Sequence, residues 1–142
     1  MTMRTGVHSM TELACATAEP MTFPTDARGL VIEPLHAAEF PSQKNAHLVL
    51  TIPGAIRGNH YHLQGTEIAV VLGPALVRIR DADGLRDYEL GQGQAYRFTF
   101  PAGVPHAMLN TGSTPMVIIS FNTEVHDPAR PDVVRDVLIE PR

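Results

Sequence analysis

The chain has 142 residues, a length typical of one domain with its own hydrophobic core. Eleven Lys and Arg against 15 Asp and Glu give a formal net charge of -4 without a basic run, which argues against nucleic acid as a partner. Cys15 is the only cysteine, so an internal disulfide and a cysteine-based zinc cluster are excluded. Because no long apolar run is present either, we expect a cytoplasmic protein without a membrane partner.

The N-terminal segment, residues 1–27, shows little periodicity and contains two prolines, so we expect a flexible or partner-docked arm. Residues 28–142 are expected to form one β-barrel domain, because Gly and Pro separate short apolar segments throughout it. The predicted strands are 30–32, 47–52, 67–72, 75–80, 86–90, 95–100, 105–109 and 116–121, and residues 133–139 are predicted to be either a last strand or a short helix. Short strands joined by such turns indicate an all-β sandwich or barrel.

A pair of histidines marks the centre of the chain, where residues 54–67 read GAIRGNHYHLQGTE. Side chains two residues apart on a strand point to the same face, so His60 and His62 project together. A turn at residues 64–65 would bring Glu67 onto the next strand, beside them. Two imidazoles and one carboxylate are a suitable ligand set for a divalent transition metal.

A fourth ligand is expected from the segment PAGVPHAMLN at residues 101–110, where Gly and Pro would deliver His106 at the start of a strand. The predicted metal ligands are therefore His60, His62, Glu67 and His106. Among the other histidines, His47 lies on a predicted strand and is a candidate to face the same pocket.

Both segments resemble the sequence motifs of the cupin superfamily. The first motif is G-x5-H-x-H-x4-E-x5-G over residues 54–73, and the second is P-x-G-x2-H-x3-N over residues 101–110. The closing glycine of the first motif comes one residue early, and Ala95 stands where the second usually opens with glycine. The resemblance implies a single-domain cupin, which is a double-stranded β-helix or jelly-roll barrel.

A narrower resemblance is carried by RGNHYH at residues 57–62 and by the tail NTEVHDPARPD at residues 122–132. Both are similar to the cupin domains of polysaccharide-biosynthesis proteins, including the cupin half of capsular sugar-nucleotide epimerase/reductase enzymes. This resemblance implies one divalent metal ion per chain, with zinc favoured and Fe(II), Mn or Ni as alternatives. In related metal-free deoxysugar epimerases the Arg binds phosphate and the His is the base, which implies that Arg57 binds an anionic small-molecule substrate. Since His60 cannot be both ligand and free base, we assign it as a ligand.

The chemistry expected of such a site is isomerisation, epimerisation or a related elimination on a carbonyl-containing substrate such as a sugar nucleotide. A bound metal with open positions can polarise the carbonyl while a side chain removes a proton. His47 and Tyr96 are the candidate bases, although Tyr96 shares a strand face with Phe98 and could equally be core. An Fe(II)- or Mn-dependent dioxygenase is the alternative, and a non-catalytic ligand-binding or sensor module is the second. A homodimer is also expected, because barrel edges attract another strand.

Overall fold

The computed structural model describes residues 13–142 and contains almost only β-strands and turns. The strands in chain order are β1 (Thr17–Pro20), β2 (Thr25–Asp26), β3 (Gly29–Leu30), β4 (Asn45–Thr51), β5 (Ile56–His62), β6 (Glu67–Leu72), β7 (Ala75–Asp81), β8 (Gly84–Leu90), β9 (Ala95–Phe100), β10 (His106–Asn110), β11 (Met116–Asn122) and β12 (Val133–Arg135). One 3-10 helix, Ala37–Ser42, precedes β4. The all-β prediction is confirmed.

Two antiparallel five-stranded sheets face each other. The front sheet has the order β1-β9-β6-β11-β4, the back sheet has the order β12-β5-β10-β7-β8, and β2 with β3 forms a separate two-stranded ribbon. Successive strands of the chain cross repeatedly between the sheets, so β5 in the back sheet is followed by β6 in the front sheet. This crossover places residues from the end of β5 opposite residues from the start of β6.

Alternating apolar side chains build the core between the sheets. In β7, Val77 and Ile79 are completely buried, whereas Arg78 and Arg80 between and beyond them point outward. Phe98 is also completely buried and packs in the same core cluster. Full burial of one such side chain contributes roughly 1.5–3 kcal/mol. The apolar core therefore fills the space between the two sheets.

The two ends of the chain differ in detail from the predicted strands. The predicted strand 30–32 is reduced to the two-residue β3, because the pairing with β2 ends at Leu30 and Val31 is 65% exposed. β1 pairs with β9 and so extends the front sheet, which means that this part of the predicted arm is a strand of the barrel. Residues 1–12 of the predicted arm lie outside the described residues. The undecided segment 133–139 begins as β12, a short strand.

The outer face of β9 carries a buried ion-pair cluster around Arg97. Arg97 is only 5% exposed and its guanidinium binds two carboxylates, at 2.7 Å from Glu39 Oε1 and 3.0 Å from Glu19 Oε2. These contacts join the 3-10 helix and β1 to β9.

In residues 13–142 no helix is long and apolar enough to cross a bilayer.

Loss of the Glu39 carboxylate should weaken the fold in a pH-dependent way. Burial by itself would raise the pKa of Glu39, but hydrogen bonds from Arg97 and the His36 N–H hold it below its ordinary value of 4.5. A lowered folded-state pKa gives stability that is present above pH 4.5 and lost as the pH falls through the folded-state pKa. Denaturant unfolding of Glu39→Gln should therefore show a deficit at pH 7 that narrows below pH 4.5. An equal deficit at pH 7 and pH 3 would contradict this.

Candidate metal centre

The four predicted metal ligands come together at one end of the barrel, from both sheets. His60 and His62 lie on β5, and His106 is the first residue of the neighbouring strand β10, directly opposite His60. Glu67 is the first residue of β6 and reaches across from the front sheet. The potential ligand atoms of these four residues all lie within 4.8 Å of one another. The structure therefore brings together the four residues that the sequence analysis grouped as one ligand set.

The donor geometry fits a divalent metal. Glu67 Oε2 lies 3.0 Å from His62 Nε2 and 2.8 Å from His106 Nε2. Ligand atoms about 2.1 Å from one metal ion lie about 3.0 Å apart at a right angle and about 3.4 Å apart at a tetrahedral angle, so both distances are near the short end of this range. The Nε2 atom of His106 is buried and makes no hydrogen bond of acceptable geometry, although the carboxylate is adjacent. A buried, unsatisfied imidazole nitrogen within a carboxylate and histidine cluster is a donor well suited to a cation.

Two contacts fix the orientation of the His106 ring. Its Nδ1 lies 3.0 Å from the carbonyl oxygen of Val104, which assigns the proton to Nδ1 and leaves the Nε2 lone pair toward the cluster. Its ring also stacks on Phe100 at a centroid distance of 3.9 Å and an angle of 3°. His106 is completely buried. This ligand is consequently held in place by the core rather than by solvent-exposed contacts.

The protonation of the cluster also suits metal binding. Burial and the neighbouring imidazoles of His106 and His62 lower the pKa of His60 to about 4, against the opposing effect of Glu67. Burial would raise the pKa of Glu67, but its two histidine neighbours hold it below its ordinary value. At neutral pH the cluster thus offers a neutral imidazole and an ionised carboxylate, which are the forms that bind metals.

Asp132 supports the cluster from the C-terminal segment, a contribution that the sequence reasoning missed. Its carboxylate accepts hydrogen bonds from the backbone N–H groups of Gln64 and Gly65, at 3.0 and 2.8 Å. One of its oxygens lies 4.0 Å from Nδ1 of His62. Asp132 therefore holds the turn that connects His62 with Glu67. The tail motif of residues 122–132 ends in Asp132, but only the pairing of β12 with β5 shows that this residue lies beside the cluster.

A cavity of about 290 Å³ opens above the cluster, between β4, β5, β11 and the segment that follows β11. Arg57, the predicted substrate-binding residue, and His47, a candidate base, both line it. The guanidinium of Arg57 is held at the wall by Thr51 Oγ1, 2.9 Å from Nε, and by the Leu50 carbonyl oxygen, 3.2 Å from Nη2. The centre of the His47 ring lies 6.2 Å from that of His126, which also lines the cavity and is outside the predicted ligand set.

Tyr96, the other candidate base, lies elsewhere. Its ring stacks on Phe98, which in turn stacks on Phe100. Of these three rings, Phe100 is the one that stacks on the predicted ligand His106. Tyr96 packs against the hydrophobic core and is absent from the cavity lining. The face of β9 that carries Tyr96 points into the barrel, but Tyr96 lies against the hydrophobic core and not at the end that holds the four predicted ligands. We therefore do not retain Tyr96 as the base, and its core interpretation explains its position.

The family follows from a match that covers most of the barrel. A family model described as the polysaccharide biosynthesis C-terminal domain matches residues 24–134, well over half of the chain. The chain belongs to this family. The match includes β2 to β11 and most of β12, and therefore all four predicted metal ligands and Asp132. No curated protein matches the chain.

Solved structures of this shape confirm the cupin fold. The capsular polysaccharide assembling protein CapF from Staphylococcus aureus is 26% identical with a TM-score of 0.61, over 68% of this chain and 27% of CapF. The chain thus spans about a quarter of that protein. QdtA, a sugar 3,4-ketoisomerase from Thermoanaerobacterium thermosaccharolyticum in complex with TDP, is 16% identical with a TM-score of 0.65, over 85% of this chain and 88% of QdtA. A dTDP sugar isomerase from Desulfovibrio desulfuricans G20 is 18% identical with a TM-score of 0.70, over 87% and 84% of the respective chains.

Proposed function

We propose that this member of the polysaccharide biosynthesis C-terminal domain family is a metal-dependent isomerase or epimerase that acts on a carbonyl-containing sugar nucleotide. The observation that carries the proposal is the convergence of His60, His62, Glu67 and His106 beneath a cavity whose wall bears Arg57. Similarity in fold to QdtA and to the dTDP sugar isomerase supports the substrate class. Family membership supports a place in polysaccharide biosynthesis.

The residues of the cavity have separable roles in this proposal. The four ligands would hold one divalent metal, zinc being favoured, and a bound metal would supply Lewis-acid polarisation of the substrate carbonyl. Arg57, fixed at the wall by β4, would bind the negatively charged diphosphate. His47 lies on β4 opposite Ser120, lines the cavity and is outside the ligand set, so in this proposal it would accept the proton at one of its ring nitrogens.

Exchange of a substrate proton with solvent tests the proposal. Zinc-loaded protein incubated in D2O with a 4-keto sugar nucleotide should introduce deuterium next to the carbonyl, and mass spectrometry should detect it. Protein treated with a chelator is the control and should introduce none. If metal-loaded protein exchanges no proton of any keto-sugar nucleotide tried, the isomerase or epimerase proposal is wrong.

Replacement of His47 should separate chemistry from metal binding. We expect His47→Gln to reduce the exchange rate by about 100-fold or more, the usual contribution of a general base. Its affinity for zinc should stay within threefold of the wild type, because His47 is outside the ligand cluster. His126→Gln is the matched control, since His126 lines the same cavity and should retain most activity. A His47→Gln protein with wild-type exchange would reassign the base.

Metal analysis addresses the two alternative functions. An Fe(II)- or Mn-dependent dioxygenase would use the same four ligands, and a non-catalytic sensor would use the metal only to orient a ligand. Elemental analysis of protein purified without oxygen, with an oxygen-uptake assay, separates the dioxygenase from the other two functions, and turnover of a keto-sugar nucleotide separates the isomerase from the sensor. Zinc at full occupancy without oxygen uptake would contradict the dioxygenase.

We further propose that two copies of the chain associate through β4. This strand is one edge of the front sheet, and Leu48 and Leu50 on its outer face are 70% and 59% exposed. An exposed apolar edge of this kind favours pairing with a second sheet. Light scattering at tens of micromolar should show a dimer for the wild type and a monomer for Leu48→Glu. Leu85→Glu, which changes a leucine that is 61% exposed on the back sheet, should remain dimeric. A monomeric wild type would refute the dimer.

A further inference from the structure

Strand β5 is irregular between the residue proposed to bind the substrate and the first metal ligand. In the pairing of β5 with β10, His60 is opposite His106, and the next residue of β10 is opposite Gly58. Asn59 therefore has no partner in β10. One extra residue on one strand of an antiparallel pair is a β-bulge, which bends the strand and redirects its side chains.

The bulge decides on which side of the sheet Arg57 lies. Arg57 and His60 are three positions apart, and regular alternation would place them on opposite faces. Both line the cavity, because the extra residue shifts the alternation by one. The backbone accommodates the shift with two consecutive left-handed residues, Gly58 with φ 82° and Asn59 with φ 56°. Apart from glycine, asparagine is one of the few residues that adopts this region readily.

The side chain of Asn59 has a second task. Its Oδ1 accepts hydrogen bonds from the backbone N–H groups of Leu138 and Ile139, at 2.9 and 3.1 Å. Its Nδ2 donates to the Ile139 carbonyl oxygen at 2.9 Å, and its own carbonyl oxygen accepts from the Asp136 N–H at 2.8 Å. The residue is only 6% exposed. Its amide thus fastens the C-terminal segment to the strand that carries the metal ligands.

We propose that Asn59 is a positioning residue with two separable roles. Its left-handed backbone turns Arg57 onto the face of the metal ligands, and its carboxamide anchors the segment 136–139. The first role rests on the proposed function, in which Arg57 binds the anionic part of the substrate. Loss of the bulge should displace Arg57 rather than His60, because β12 pairs with β5 at residues 60–62 only.

Two substitutions separate the roles. Asn59→Gly keeps the left-handed backbone without strain but removes the carboxamide, whereas Asn59→Val is branched at Cβ and strongly disfavours φ near 56°. TDP is the probe for anion binding, measured by calorimetry on zinc-loaded protein. Visible absorption during a Co²⁺ titration reports the metal ligands independently. If Asn59→Val does not fold, Asn59→Ala replaces it, since alanine resists the left-handed region for the same reason but less strongly.

The two variants should differ from the wild type in different properties. Asn59→Gly should bind TDP within threefold of the wild type but have a lower melting temperature, because three hydrogen bonds of the carboxamide are lost. Asn59→Val should bind TDP at least tenfold more weakly and keep the Co²⁺ spectrum. Equal TDP affinity in wild type and Asn59→Val would overturn the proposal, as would equally weak binding by both variants.

A failure of the proposed function can be distinguished from a failure of this inference by the wild type's own binding of TDP. If the wild type does not bind TDP, the substrate class is wrong, and the crystal structure of the Asn59→Val or Asn59→Ala protein then decides the positioning role. Arg57 on the outer face of β5 would support that role. Arg57 still lining the cavity would overturn it.

Discussion

Replacement of Glu67 by glutamine is expected to lower the affinity for zinc and Co²⁺ by about 100-fold or more. Changes in groups that merely orient metal ligands cost 10–100-fold in affinity, and loss of a charged ligand should reach at least the upper end of that range. The size and shape of the side chain are retained, so the effect reports charge rather than packing. Glu67 Oε2 lies within 3.0 Å of two imidazole nitrogens, and its charge is the only negative one among the four ligands.

The same loss should be visible in stability. At a fixed concentration of free metal well above the dissociation constants of both proteins, a 100-fold weaker affinity removes about 2.7 kcal/mol of metal-dependent stabilisation. Thermal unfolding with and without zinc measures this difference, and a Co²⁺ titration measures the affinity. Glu124→Gln is the matched control, because Glu124 lines the same cavity but is outside the ligand set. If Glu67→Gln binds metal as tightly as Glu124→Gln does, the ligand assignment is wrong.

The grouping of the proposed metal ligands was largely predictable because their placement on strands and turns follows local rules. Alternation along a strand places His60 and His62 on one face, and the turn at residues 64–65 carries Glu67 to the facing sheet. Glycine and proline before His106 predict a turn, and the structure has His106 at the first position of β10. These relations involve residues close in sequence. That His106 meets His60 depends on the pairing of β10 with β5, which the resemblance to the cupin motifs implied and no local rule contains.

Features that depend on long-range pairing were not predictable. The bulge at Asn59 exists only in relation to β10, and alternation alone would have turned Arg57 away from the metal. Asp132 reaches the cluster only because β12 pairs with β5. The inward face of β9 could likewise not be chosen from its sequence, since Tyr96 and Arg97 lie on opposite sides and Arg97 is buried by carboxylates rather than by the core. Tertiary pairing, which the local pattern does not contain, decides all of these.

Replacement of Gly58 by alanine should be among the most destabilising changes in the barrel. A Cβ atom at this position would lie 2.6 Å from the carbonyl oxygen of His106, and φ at Gly58 is +82°. The left-handed backbone costs alanine ~1–2 kcal/mol, and a clash with backbone adds ~1–3 kcal/mol because neither strand can move away easily. The sum of about 2–5 kcal/mol corresponds to a decrease in melting temperature of roughly 10 °C.

Gly54→Ala isolates the contribution of the contact. Gly54 has φ +78°, close to that of Gly58, but a Cβ atom there would meet nothing within 4 Å. Gly54→Ala should therefore pay only the backbone cost, and thermal unfolding should place it midway between Gly58→Ala and the wild type. Because the displaced oxygen belongs to His106, Gly58→Ala should also weaken Co²⁺ binding, whereas Gly54→Ala should not. Equal losses of stability in the two variants would mean that Gly58 does not approach the His106 carbonyl oxygen closely. The bulge between β5 and β10, and with it the proposed placement of Arg57, would then be wrong.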